Sequence, residues 1–178
     1  GCGTPTAKLG PPPSGPVPDR QGKESMTGVI NRHVHRGATI GRDQSEKFFT
    51  PENVEKDLKT YASYGVTTVL SMGTDKDSIF KIRDEQRAGR PTETRIYTAG
   101  QGFVFKGGYG GLEGVNQGVA TVADVAPAVA ATAAQHVDFT KLWRNDHLGT
   151  PKNRPYAIAP ALPPSAPTTP YRVPAPAL

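Results

Sequence analysis

Thr50-Pro-Glu-Asn-Val-Glu-Lys-Asp-Leu-Lys-Thr-Tyr-Ala-Ser-Tyr-Gly-Val-Thr-Thr-Val-Leu-Ser-Met72 contains a helix, its stop and a strand in direct succession. Thr50 is a good N-cap, Pro51 suits the first helical position, and Glu52 places an acid in the first turn. Val54, Leu58, Tyr61 and Ala62 then share one helical face. Gly65 can end the helix in a left-handed turn. Val66 to Met72 is a β-branched run of the kind buried on both faces of a parallel sheet.

The same alternation extends in both directions. Upstream, Gly28-Val-Ile-Asn-Arg-His-Val-His35 reads as a strand, followed by a loop to Thr50. Downstream, the pattern predicts a helix over 75–88 with Ile79 and Ile82 inward and Gly89 at its end. A third strand is expected over 94–99. A glycine-rich loop, Gly100 to Gly118, leads to an Ala/Val-rich helix over 121–135, expected to bend near Pro127. A fourth strand is expected over 137–143. The order β-α-β-α-β-α-β implies parallel strands joined by right-handed crossovers. A doubly wound sheet and a (β/α)8 barrel both begin in this way. The first strand lacks the glycine fingerprint of a dinucleotide fold, which favours the barrel. Four strands cannot close a barrel of eight. The expected fold is therefore α/β, a partial TIM-like (β/α) barrel with four parallel strands.

Proline marks the limits of this pattern. Of the 18 prolines, only Pro51, Pro91 and Pro127 fall between residues 19 and 150. Fixed φ and a missing N–H make the two ends poor material for helix or sheet. Residues 1–25 are thus expected to form a disordered Pro/Gly-rich segment, 26–150 the partial barrel, and 151–178 a disordered Pro/Ala-rich tail. The net charge of +5 is spread unevenly. Lys8, Lys152, Arg154 and Arg172 lie in end segments with no acid, so the region between them is nearly neutral. The high pI is then no sign of a basic groove, and nucleic acid is not an expected partner. No apolar run approaches the ~18 residues of a membrane span. A single cysteine excludes an intramolecular disulfide and a thiolate-only metal site.

Two features carry possible chemistry. His33 and His35 sit at i and i+2 in a strand, so both point to the same side. At the carboxyl end of a strand they can bind one metal ion in a cis arrangement, although two histidines in a surface turn have the same spacing. Lys141 lies on the fourth strand between Phe139 and Trp143. On a buried face its amine would be desolvated and easily deprotonated, and would take up CO2 as a carbamate. At a strand end it would instead reach out to solvent. Gly107-Gly-Tyr-Gly-Gly-Leu-Glu-Gly114 lacks the Lys-Ser/Thr of a phosphate loop and reads as an active-site loop.

Four segments in order resemble the amidohydrolase superfamily, especially its imidazolonase- and prolidase-like members. They are Val29-Ile-Asn-Arg-His-Val-His35, Tyr64-Gly-Val-Thr-Thr-Val-Leu70, Ile96-Tyr-Thr-Ala-Gly-Gln-Gly102 and Gln135-His-Val-Asp-Phe-Thr-Lys-Leu-Trp143. The resemblance implies a metal-dependent hydrolase of amide or related carbon–nitrogen bonds, using metal-activated water on a small-molecule substrate. It implies that His33 and His35 bind one divalent metal, Zn²⁺ first among the candidates, and that carbamylated Lys141 bridges to a second. Two further histidine ligands and a general-base aspartate belong to later strands of that family, and neither His136 nor His147 matches them. The chain is accordingly expected to hold only the N-terminal half of the barrel, to be inactive alone, and to offer an open barrel edge for self-association. A non-catalytic fragment or binding module that keeps part of the fold is the alternative reading.

Overall fold

The computed structural model describes residues 26–106 and 114–143. The expectations for the two tails, for residues 107–113 of the glycine-rich loop and for His147 lie outside the described residues.

Three strands form the central sheet: β1 (Val29–Val34), β4 (Val66–Ser71) and β5 (Arg95–Thr98), in the order β1-β4-β5. Both pairings are parallel, as the alternating pattern requires. The crossovers are helix α1 (Pro51–Ser63) and helix α2 (Ser78–Ala88). Thr50 Oγ1 accepts the Asn53 N–H at 3.2 Å, so the predicted cap is in place. Gly65 adopts φ +76 just beyond α1, a conformation open to glycine at no steric cost. Val54 and Leu58 of α1, Ile79 and Ile82 of α2, and Val34, Val69 and Ile96 of the sheet make one core. Removing apolar surface from water here, at about 25 cal/mol per Å², holds both helices on one face of the sheet. The opposite face carries Leu70 and the exposed Ile30 and Tyr97.

α2 starts three residues later than the sequence pattern predicts. Asp75 is turned inward instead, where its carboxylate accepts the Ser71 and Thr98 hydroxyls at the end of the sheet. The third helix is also shorter than expected. The Asp124 carboxylate accepts the Thr121 N–H and hydroxyl, a 3-10 turn covers Val122–Asp124, and α3 runs Val125–Ala134. Pro127 falls in the first turn of α3, where a missing N–H breaks no intrahelical bond. The irregularity therefore precedes the proline. His136 follows α3 at φ +53, in the left-handed position usually taken by glycine.

The expected fourth strand is not a regular one. Among the described residues, 137–143 makes only a single parallel bridge, Phe103 with Leu142. The outer edge of β5 explains this. The Gln86 side-chain amide accepts the Ile96 N–H and donates to Thr94 O, both at 3.0 Å, as a neighbouring peptide would. Farther along, Asp138 gives its own N–H to Thr98 O, but its carboxylate takes the Thr98 N–H at 2.8 Å. Side chains thus hold positions that a ladder would give to backbone. Arg83 and Arg87 of α2 pair with the same Asp138 carboxylate and fix this segment.

Two short pairings were not evident from the pattern. β2 (Thr39–Ile40) and β3 (Asp43–Gln44) form a hairpin around Gly41 in the loop before α1. β6 (Phe103–Phe105) and β7 (Gln117–Val119) pair in parallel. α3 packs Val125 and Val129 on Phe103 and Val119, giving a second small core.

Candidate functional site

The carboxyl ends of β1 and β4, the turn after β5 and the 137–143 segment meet at one place. Met72 N–H donates to Val34 O at 2.9 Å, and Gly102 N–H to Gly73 O at 2.8 Å. Phe103 N–H donates to Lys141 O at 2.8 Å, and Trp143 N–H returns to Phe103 O at 2.9 Å. These bonds bring His33, His35, Thr74, Lys141 and Trp143 together from segments far apart in sequence.

Val34 packs into the main core, so its neighbours His33 and His35 project from the opposite face of β1. Their Nε2 atoms face each other at 3.3 Å. His35 Nδ1 lies 3.1 Å from Thr74 Oγ1. The His35 ring also stacks on Trp143, with centroids 5.9 Å apart and planes at 24°. The Lys141 amine lies 5.1 Å from the centre of the same indole.

Two glycines make room for the lysine. A Cβ on Gly73 would lie 2.9 Å from Lys141 Cγ, and one on Gly102 would lie 2.5 Å from a Trp143 ring carbon. Gly73 is also at φ +85, so the position demands glycine both sterically and conformationally. The stem of Lys141 thus runs over a floor with no side chains.

The electrostatics keep the imidazoles neutral. Desolvation, then charge repulsion with His33 were it protonated, with Lys141 and with Arg36, brings His35 down to about 4. Its open side still meets water; the walls on its other sides have the larger effect. Desolvation and Lys141 also lower His33 below the usual histidine value. Burial lowers the Lys141 ammonium, which favours the free amine. Behind the site, buried Asp75 is raised to about 6 by desolvation, against the pull of Thr98, Ser71 and Arg36. Arg36 is 2% exposed, lies 3.8 Å over the Tyr61 ring, and has no hydrogen-bond partner for its Nε.

The donor set can be tested against a metal. Zinc–imidazole bonds of about 2.0–2.1 Å at a tetrahedral angle place two ligand nitrogens about 3.3 Å apart. The His33–His35 separation equals that chord. Among the described residues, no cluster of three or more His, Cys, Asp or Glu side chains completes a site. The unmodified chain therefore offers a two-histidine fit, and Lys141 is the adjacent group that could extend it. Sequence reasoning missed Thr74, Gly73 and Gly102; the Gly73-Thr74 pair just beyond β4 was the available signal. A shallow surface depression along α1, lined by Glu52, Glu55, Lys56 and Lys59, takes no part in this site.

No protein-family model and no curated protein matches the chain. Solved structures do. A protein from Bifidobacterium longum assigned as a prolidase is 20% identical, with a TM-score of 0.65 over 83% of this chain and 34% of that one. A Xaa-Pro dipeptidase with methionine bound in its active site is 20% identical, with a TM-score of 0.52 over 65% and 33%. An amidohydrolase is 16% identical, with a TM-score of 0.52 over 71% and 37%. The chain thus spans about a third of the length of these proteins. At the level of fold, the described residues share the α/β architecture of part of these proteins.

Proposed function

We propose that this chain is part of a metal-dependent hydrolase of carbon–nitrogen bonds, with His33, His35 and Lys141 as its metal-holding residues and Zn²⁺ as the first candidate. The observation that carries the reading is the 3.3 Å approach of the two Nε2 atoms at the carboxyl edge of a parallel sheet. That edge is where barrel enzymes keep their chemistry. Further support comes from the lowered pKa of both rings, which favours the unprotonated form a histidine ligand needs.

Each residue has a separate task. His33 and His35 would hold the ion through their facing nitrogens. Lys141 attacks CO2 with its free amine and loses one N–H proton to solvent, leaving a carbamate as an anionic oxygen ligand. The Gly73–Gly102 floor lets its stem reach the histidines. A divalent metal, when bound, would polarise the substrate carbonyl and acidify a water. The substrate class is a small amide-type molecule. His33, His35 and Lys141 alone are expected to turn it over negligibly, because none of the three is a carboxylate able to act as general base.

Calorimetric Zn²⁺ titration of the chain and of His33→Ala/His35→Ala, with bicarbonate present, tests the site. Binding lost in the double variant is the expected result. Equal binding by both proteins would overturn the metal reading and leave a non-catalytic remnant of the fold. An amidase screen giving turnover of ~1 s⁻¹ or faster would overturn the expected inactivity.

A further inference from the structure

We infer that Thr74 is a positioning residue that fixes the tautomer of His35 before any metal arrives, by accepting its Nδ1–H while Trp143 fixes the plane of the ring. The inference rests on the metal reading above for its purpose and for the direction of this hydrogen bond, while the 3.1 Å contact itself stands apart from that reading.

Thr74 lies three residues beyond β4 and is 5% exposed. It is held from both sides: its backbone bridges Gln101, and Gly73 is bonded to Gly102 and to the Asn116 side-chain amide at 2.7 Å. The hydroxyl is thus presented by a fixed turn. A neutral imidazole has one N–H and one lone pair. If Nδ1 donates to Thr74 Oγ1 across 3.1 Å, the lone pair must be on Nε2, the atom that faces His33. The 3.3 Å contact then requires His33 to donate from its own Nε2 in the metal-free chain. The two histidines are therefore not equivalent. His35 stands ready to coordinate, whereas His33 must first move its proton from Nε2 to Nδ1. Partners on the second ring nitrogen commonly contribute about 10–100-fold in metal affinity. The 24° stack on Trp143 resists tilting of the ring out of this plane.

The test uses the full chain, labelled with ¹⁵N. Long-range ¹H–¹⁵N spectra report the protonated nitrogen of each of the four histidines, with His33→Ala and His35→Ala assigning the pair. Wild type and Thr74→Ser are expected to show His35 protonated at Nδ1 without metal. Thr74→Val, which keeps the shape but loses the acceptor, is expected to populate both tautomers. Zn²⁺ affinity should fall about 10–100-fold in Thr74→Val and recover to within about threefold in Thr74→Ser. A wild-type His35 protonated at Nε2 would overturn the inference, even if Thr74→Val failed to fold. So would a Thr74→Val chain with wild-type tautomer and affinity. Should wild type take up no Zn²⁺, the metal reading falls, and the ring-nitrogen spectra alone decide the role of Thr74.

Discussion

One carboxyl group, Asp75, should contribute stability that is lost as the pH rises from about 4 to about 7. It is fully buried, and its carboxylate meets two hydroxyls, Ser71 at 2.7 Å and Thr98. Burial outweighs both bonds and lifts its pKa from 3.8 to about 6. Over that interval the folded state holds a proton that the unfolded chain has released, so stability falls as pH rises. The contribution is fully present below 3.8 and lost as pH passes through about 6. Two pKa units correspond to about 3 kcal/mol. Asp75→Asn, which cannot ionise, isolates the effect. Urea unfolding of both proteins across the range gives the comparison. The acids with lowered pKa, Asp84, Glu93, Glu52 and Asp124, and the lowered histidines His35 and His33 give slopes of opposite sign, but they are common to both proteins and cancel in the comparison. Wild type should lose about 3 kcal/mol relative to Asp75→Asn between the two ends. A pH-independent difference, or one growing in favour of wild type, would refute the reasoning. Arg36→Met should move the midpoint upward, because the Arg36 charge is among the forces holding Asp75 down.

Three further outcomes follow from the geometry. Gly102→Ala should cost about 1–3 kcal/mol in unfolding measurements and weaken Zn²⁺ binding, since its Cβ would meet Trp143 at 2.5 Å and Lys141 Cγ at 3.1 Å. His136→Gly should raise the melting temperature, with a gain of about 0.5–1 kcal/mol, because φ +53 strains a residue with a side chain. Asp138→Ala should cost about 3 kcal/mol by chemical denaturation, because Arg83, 3% exposed, loses an ionic partner and Thr98 N–H loses its acceptor.

The parts of the fold legible in the sequence are those set by local chemistry. Thr50-Pro51-Glu52 announces α1, and the Val54–Leu58 spacing gives its buried face. The β-branched run from Val66 leaves little choice but a strand. The start of α2 differs from the predicted residue 75 because Asp75 is bonded to residues on two strands, 4 and 23 positions away, which local sequence does not reveal. The fourth strand was misread for a similar reason. Val137, Phe139 and Trp143 alternate as a strand should, but the edge of β5 is satisfied by Gln86 and Asp138, and side-chain acceptors leave no periodic trace. At the site, His33 and His35 were legible because i and i+2 share a side of any strand. Thr74 was not, because its meeting with His35 depends on the register of β1 against β4.

Trp143 is the only tryptophan in the chain, and it lies against both His35 and Lys141. Indole emission is sensitive to whatever touches the ring, and is quenched more by a cationic neighbour than by a neutral one. The fold therefore contains its own optical gauge, with a single emitter placed at the point of interest. Changes in the charge of the imidazole or the amine should appear as changes in fluorescence intensity without an attached dye. Because the indole is held by a backbone bond to Phe103, a red shift of the same signal would report that the 137–143 segment has left the sheet.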